Sequence, residues 1–184
     1  MKETPLGGMQ IGTTSAVSIR ELPGSHTTDL RVLPTTQTRF AIEDSLGFTL
    51  PGTLGQAVQI PGDGEAYALC LAPDWWLIVG HPEAEEKFSP LRLTENHHFS
   101  SVDVSGQRTA IELEGPNAQA VLAHLWEQDL REKNFPIGSV SQGLMAKAPV
   151  ILWYIAPFRY IILVRSSFAL HLWKALVDSA KEHL

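Results

Sequence analysis

The chain has one cysteine, Cys70, so no internal disulfide can form. Within the apolar run Ala66-Tyr67-Ala68-Leu69-Cys70-Leu71-Ala72 that thiol is expected to be a small buried hydrophobe rather than a reactive group or metal ligand. Basic clusters are missing too. Fourteen Lys and Arg against 20 Asp and Glu give a formal charge of −6. That balance argues against nucleic acid or an anionic membrane surface as the main partner, because both are held by concentrated positive charge. The longest apolar runs, near residues 149–156 and 158–164, fall well short of the roughly 20 residues a membrane span requires. The N-terminus lacks the charged-then-apolar pattern of a signal peptide, and a cytoplasmic chain is expected. There is no Gly-x-Ser-x-Gly elbow, no Walker loop and no Gly-x-Gly-x-x-Gly, so neither a serine hydrolase, a phosphate cradle nor a dinucleotide fold is indicated.

Histidines and acids near the middle of the chain invite a catalytic reading that spacing does not support. On one strand over 97–105, His97, Asp103 and Ser105 share a face, but His97 and Asp103 are then roughly 20 Å apart at about 3.3 Å per residue. No local triad forms unless the chain bends sharply. The adjacent pair His97-His98 would point to opposite faces, and no further His or Cys stands at ligand spacing, so no metal site is expected. Asp103 and Asp129 lie near element ends, where a carboxylate accepts from nearby backbone donors. Arg108, between Gln107 and Thr109, suits an exposed turn, with a carboxylate as a conceivable partner.

What the chain does contain is regular. Phe99 to Trp126 is expected to hold two strands and a helix. Val102 and Val104 alternate with Ser101, Asp103 and Ser105, and Ser105-Gly106 makes a turn. Ile111 and Leu113 alternate with Glu112, and Gly115-Pro116 breaks the strand and opens a helix. Ala118, Val121, Leu122 and Leu125 form one apolar stripe, expected to lie on the sheet those strands build. Before this stretch come a Gly-, Thr- and Ser-rich arm over 1–26, with only residues 16–19 hinting at a strand, then a strand at 29–33. A helix capped by Thr35 or Thr36 runs to Leu46 and ends at Gly47. Strands follow near 56–60, 65–71 and 75–80, then a short helix at 83–88. After it come strands near 140–147, 149–155 and 158–164 and a closing helix from about Ser167 to Lys181, capped by Ser166 or Ser167.

The element order repeats, and Leu71-Ala72-Pro73-Asp74-Trp75-Trp76-Leu77-Ile78-Val79 parallels Ile155-Ala156-Pro157-Phe158-Arg159-Tyr160-Ile161-Ile162-Leu163. The expected fold is α+β: two similar halves of antiparallel sheet covered by helices, with an arm at 1–26, a first half at 27–92 and a second at 93–184, sharing one compact domain. Trp75 and Trp76 face opposite sides of their strand, and residues 150–155 and 160–164 are apolar on both faces. Either the halves pack sheet to sheet or a partner covers the surplus apolar surface. Trp75, Trp153, Phe158 and Arg108 are the candidate partner contacts.

Taken in order, Leu30-Arg31, Gly47-Phe48-Thr49-Leu50-Pro51, Leu71-Ala72-Pro73-Asp74-Trp75-Trp76-Leu77-Ile78, Val102-Asp103-Val104-Ser105, Gly115-Pro116-Asn117-Ala118, Asp129-Leu130, Phe135-Pro136-Ile137-Gly138 and Arg165-Ser166-Ser167-Phe168-Ala169 resemble the gamma-subunit family of heterotetrameric sarcosine oxidases. The resemblance spans roughly residues 15–180 and implies the wider folate-binding aminomethyltransferase (T-protein) fold. It also implies a non-catalytic bracing role beside larger alpha and beta subunits and a small delta subunit. Those partners would carry FAD, FMN, NAD, tetrahydrofolate and zinc, with no catalytic, cofactor-binding or metal residue in this chain. Where the transferases carry an Asp-Asp pair, this sequence reads Ala146-Lys147-Ala148-Pro149-Val150, without the acid that assists at a folate nitrogen. The alternatives are a subunit of a related N-methyl-amino-acid dehydrogenase, such as one acting on N-methylglutamate, and a stand-alone folate-binding or aminomethyltransferase-like protein.

Overall fold

A computed structural model describes residues 4–22, 24–33, 36–61, 66–80 and 97–184. The chain divides into two units, each built on one antiparallel sheet: an insert of residues 25–105, and a frame made of residues 1–24 and 106–184. The short helix expected at 83–88 lies outside the described residues.

The frame holds strands β1 (Gln10–Thr13), β2 (Val17–Glu21), β8 (Arg108–Glu114), β9 (Val140–Met145), β10 (Ala148–Ala156) and β11 (Arg159–Arg165), in the order β1-β2-β8-β11-β10-β9. Its helices are α2 (Ala118–Ala123) and α3 (Ala169–Ala180), the second entered through one 3-10 turn at Ser166–Phe168. Alternation along the strands sends Val17, Ile19, Ile111, Leu113, Val150, Leu152, Ile162 and Val164 into a core completed by Val121 and Leu122 of α2 and Leu172, Trp173 and Leu176 of α3. The opposite face is buried as well, at Ile151, Trp153, Ile161 and Leu163, as strands apolar on both faces require. Gly143 on the edge strand β9 leaves room for the Trp126 ring, which a Cβ there would approach to 2.7 Å.

The insert holds β3 (His26–Val32), α1 (Gln37–Leu46), β4 (Ala57–Gln59), β5 (Tyr67–Ala72), β6 (Trp75–Gly80) and β7 (Phe99–Asp103), in the sheet order β4-β5-β6-β3-β7. Leu30, Val32, Ile42, Phe48, Leu50, Cys70, Trp76 and Ile78 form its core. Cys70 is buried, as its apolar context implies. Helix α1 ends as expected on Gly47 at φ +72°, whose N–H donates to the Glu43 and Asp44 carbonyls. The caps differ from expectation. Thr36 turns its hydroxyl back to the Leu33 carbonyl (2.9 Å), and Ser166 sends its own to the Gly106 carbonyl (3.3 Å). Helix α1 is braced instead by Arg39 and Glu43, which bond each other (3.0 Å) and grip the Leu50 carbonyl and amide, both at 2.9 Å.

Two expectations are corrected. The arm over 1–26 is not merely an arm: it supplies β1 and β2, and β2 pairs with β8 in the register Ser18 to Glu114 and Glu21 to Ile111. Its Gly- and Thr-rich composition hid a partner far along the chain. The stretch 99–113 is not a hairpin either, because β7 pairs with β3 and β8 with β2 and β11. Ser105-Gly106 is therefore where the chain passes from insert to frame. Helix α2 packs with Ile111 and Leu113 of β8, while Val102 of β7 is left 50% exposed.

The repeat is real in the topology. Strands β4-β5-β6-β3 and β9-β10-β11-β8 have the same order and sense, the insert's set extended by the antiparallel strand β7 and the frame's by β2 and then β1. Both copies carry the same bulge beside their Ala-Pro turn, between Cys70 and Ala72 and between Tyr154 and Ala156. The residue after each proline accepts an equivalent bond through its carbonyl, Asp74 from Val32 N and Phe158 from Gly115 N, both at 3.0 Å.

Candidate partner surface

Beside each of these turns an acid on the neighbouring interior strand, β3 or β8, meets the residue that opens the strand after the turn. In the frame, Glu112 is 1% exposed and accepts from Arg20 and from Arg159 Nε (2.6 Å). In the insert, the corresponding acid, Asp29, accepts from Trp75 Nε1 (2.9 Å) and faces Arg31 (3.5 Å), whose guanidinium lies 4.4 Å above the Trp75 ring. Strand alternation produces both arrangements, since the acid and the first residue after the turn lie on the face away from the helices. Sequence reasoning missed these acids; the available signal was Glu112 standing between Ile111 and Leu113, where a strand interior would need a charge partner.

The four expected partner contacts fall in different settings. Phe158 is 58% exposed and sits at φ +60°, a left-handed conformation that costs a bulky aromatic residue on the order of 1 kcal/mol. Trp75 is half-buried under Arg31. Arg108 is half-buried, donates to Gln107 Oε1 (2.5 Å) and stands directly opposite Arg165 on the neighbouring strand. Trp153 is only 4% exposed.

The catalytic reading also fails on geometry. His97 lies by Thr38, its Nδ1 3.3 Å from Thr38 Oγ1. The histidine near Ser105 is His26 (Nδ1 to Oγ 3.3 Å), which spacing did not suggest because β3 brings it there across the sheet. Ser105 donates to Asp103 (2.5 Å) and accepts from Thr27 N (3.0 Å), while His26 Nε2 lies 3.4 Å from Thr28 Oγ1. The serine thus sits between the acid and the histidine. A nucleophile needs the histidine in the middle, oriented by the acid. Asp129, exposed, accepts from Arg131 and Asn134 within its own loop, and Arg131 holds its carboxyl well below the usual range. Among the described residues no group of three His, Cys, Asp or Glu is placed to hold a metal, and no helix is long and apolar enough to cross a membrane.

A family model described as the sarcosine oxidase gamma subunit family matches residues 35–182, most of the chain. The chain belongs to the sarcosine oxidase gamma subunit family. Gamma subunits of sarcosine oxidase from two Corynebacterium strains agree with this. That of strain P-1 is 28% identical over 174 residues, covering 94% of this chain and 84% of the relative; that of strain U-96 is 29% identical over 178, covering 94% and 83%. A chain of the heterotetrameric sarcosine oxidase from Corynebacterium sp. U-96, solved with pyrrole 2-carboxylate, superposes with a TM-score of 0.82 at 25% identity, covering 99% of this chain and 96% of that one. The glycine cleavage system aminomethyltransferase T from Bartonella henselae shares the fold at a TM-score of 0.65 and 12% identity, over 96% of this chain and 57% of that one. This gamma-family chain therefore has the expected α+β, aminomethyltransferase-like fold, and its family is one of subunits in a larger assembly.

Proposed function

We propose that the chain is the non-catalytic gamma subunit of a heterotetrameric sarcosine oxidase, bracing larger alpha and beta subunits alongside a small delta subunit. The assembly oxidatively demethylates sarcosine to glycine, and FAD, FMN, NAD, tetrahydrofolate and zinc belong to the partner subunits. The observation that carries this reading is the match, over nearly the full length of both, to a chain of a heterotetrameric oxidase. The Ala146-Lys147 turn adds support. Both residues lie at positive φ (+48° and +67°) in the two-residue connection from β9 to β10, and the transferase's acidic pair is not there to act on a folate. Relatives that are themselves sarcosine oxidase gamma subunits favour this assembly over an N-methyl-amino-acid dehydrogenase or a lone folate protein. Phe158 is the proposed anchor, with Trp75 and Arg108 as further contacts. An exposed aromatic held at strained backbone suits a partner's apolar pocket.

The test is gentle purification of the tagged chain from its native cells, followed by the mass and visible spectrum of what accompanies it. Larger subunits with flavin bands that bleach on adding sarcosine are expected. A lone, colourless 20.3 kDa protein would overturn the proposal.

A further inference from the structure

The first residues of the frame are held in an unusual way. Residues 4–9 form no helix or strand, and only Leu6 is buried, at 4% exposure. Ordering six residues costs more conformational entropy than burying one leucine returns. What they do have in common is Glu21. Its carboxylate, on the core-facing side of β2 and 7% exposed, accepts from Leu6 N (3.0 Å), Gly8 N (2.7 Å), Thr4 Oγ1 (2.5 Å) and Thr109 Oγ1 (3.1 Å). Gly7 and Gly8, at φ +63° and +76°, supply the left-handed backbone that turns two amides toward one anion, a conformation glycine adopts without penalty. The charged neighbours Arg20 and Glu112 lie on the other face of the sheet and pair with each other.

We infer that Glu21 is a charge latch for this N-terminal strap: its carboxylate fastens residues 4–9 to the frame, and losing that charge frees the strap together with its hold on β1. Strand β1 is otherwise lightly held. It is four residues long and mostly exposed, with Ile11 packed against the core, and among the described residues its strand pairing is with β2 alone, at the sheet edge. Burial raises the Glu21 carboxyl, but the four donors outweigh it and leave it below the usual carboxylate range, so the latch is closed at neutral pH.

Amide hydrogen exchange on the full chain tests this. In Glu21→Gln, protection of the Leu6 and Gly8 amides should fall by about tenfold or more, the scale of bonds to a charged acceptor, with Ile111 and Leu113 unchanged. Thr109→Val, which removes one donor and keeps the charge, should give a smaller loss at the same two amides. Unchanged protection in Glu21→Gln would overturn the inference. So would an equal loss across the whole frame, since Glu21 would then support the sheet rather than the strap. Should Glu21→Gln not fold, Thr4→Val decides: faster exchange at Leu6 and Gly8 supports the latch, and no change refutes it.

Discussion

Insert and frame are two copies of one strand plan, with the same bulge at the same turn, yet their side chains have diverged where the plan meets solvent. The acid beside the frame's turn is buried between two arginines, whereas Asp29 is partly exposed beside a tryptophan and an arginine. At the turn itself the frame carries an exposed phenylalanine in strained backbone, while Asp74 is not at positive φ. Backbone hydrogen bonding and apolar alternation preserve a fold through divergence of this kind. The outward positions are free to change, and at the turn the frame alone carries a large exposed aromatic at positive φ.

The widest break in the comparison should come from the cores. Leu30→Ala and Leu113→Ala each empty a fully buried position on an interior strand of their unit and should cost about 3 kcal/mol. Urea unfolding should show both losses, and amide exchange should place each in its own unit. The paired acids come next. Glu112→Gln leaves Arg20 and Arg159 without their carboxylate, but both are partly exposed and can rehydrate, so the expected cost is about 2 kcal/mol; Asp29→Asn should cost below about 1 kcal/mol. Equal losses in thermal unfolding would remove the distinction between the two sites. The turns separate stability from assembly: Phe158→Gly should stabilise the isolated chain by about 1 kcal/mol while weakening capture of the larger subunits. Asp74→Ala should change neither. If Phe158→Gly assembles as tightly as the parent, Phe158 is not the anchor.

The smallest effect is set by pH. The Glu21 carboxyl is lower in the folded chain than in the unfolded one, so its contribution is fully present above the ordinary carboxylate value and fades as pH falls through the folded value. Between neutral and acid pH, the melting temperature of Glu21→Gln should therefore converge on that of the parent. A constant gap would show that the charge adds no stability.

Much of this was legible in the sequence. The chain's strands from β3 onward, the Gly47 stop, the buried Cys70 and the opposed faces of Trp75 and Trp76 all follow from periodicity and turn residues, which act within a few positions. The ordered family segments pointed to the gamma subunits as well. Local rules erred where a strand's partner lay far away. Val102 and Val104 read like half of a hairpin with Ile111 and Leu113, but β7 was claimed by β3 and β8 by β2. The same blindness assigned residues 1–26 to an arm, proposed the buried Trp153 as a partner contact and weighed His97, rather than His26, as the histidine beside Ser105.

The sequence by itself determined which segments from β3 onward become strand or helix, where the chain turns, that the plan is repeated and to which family it belongs, because each of these depends on neighbouring residues or on their order. Only the tertiary structure decided which strands share a sheet, that the N-terminal residues complete the frame, that Glu112 and Glu21 are fully partnered buried acids and that Phe158 rather than Trp153 faces outward. The physical reason is that strand pairing and burial are settled by competition among distant segments for the same backbone bonds and the same apolar faces.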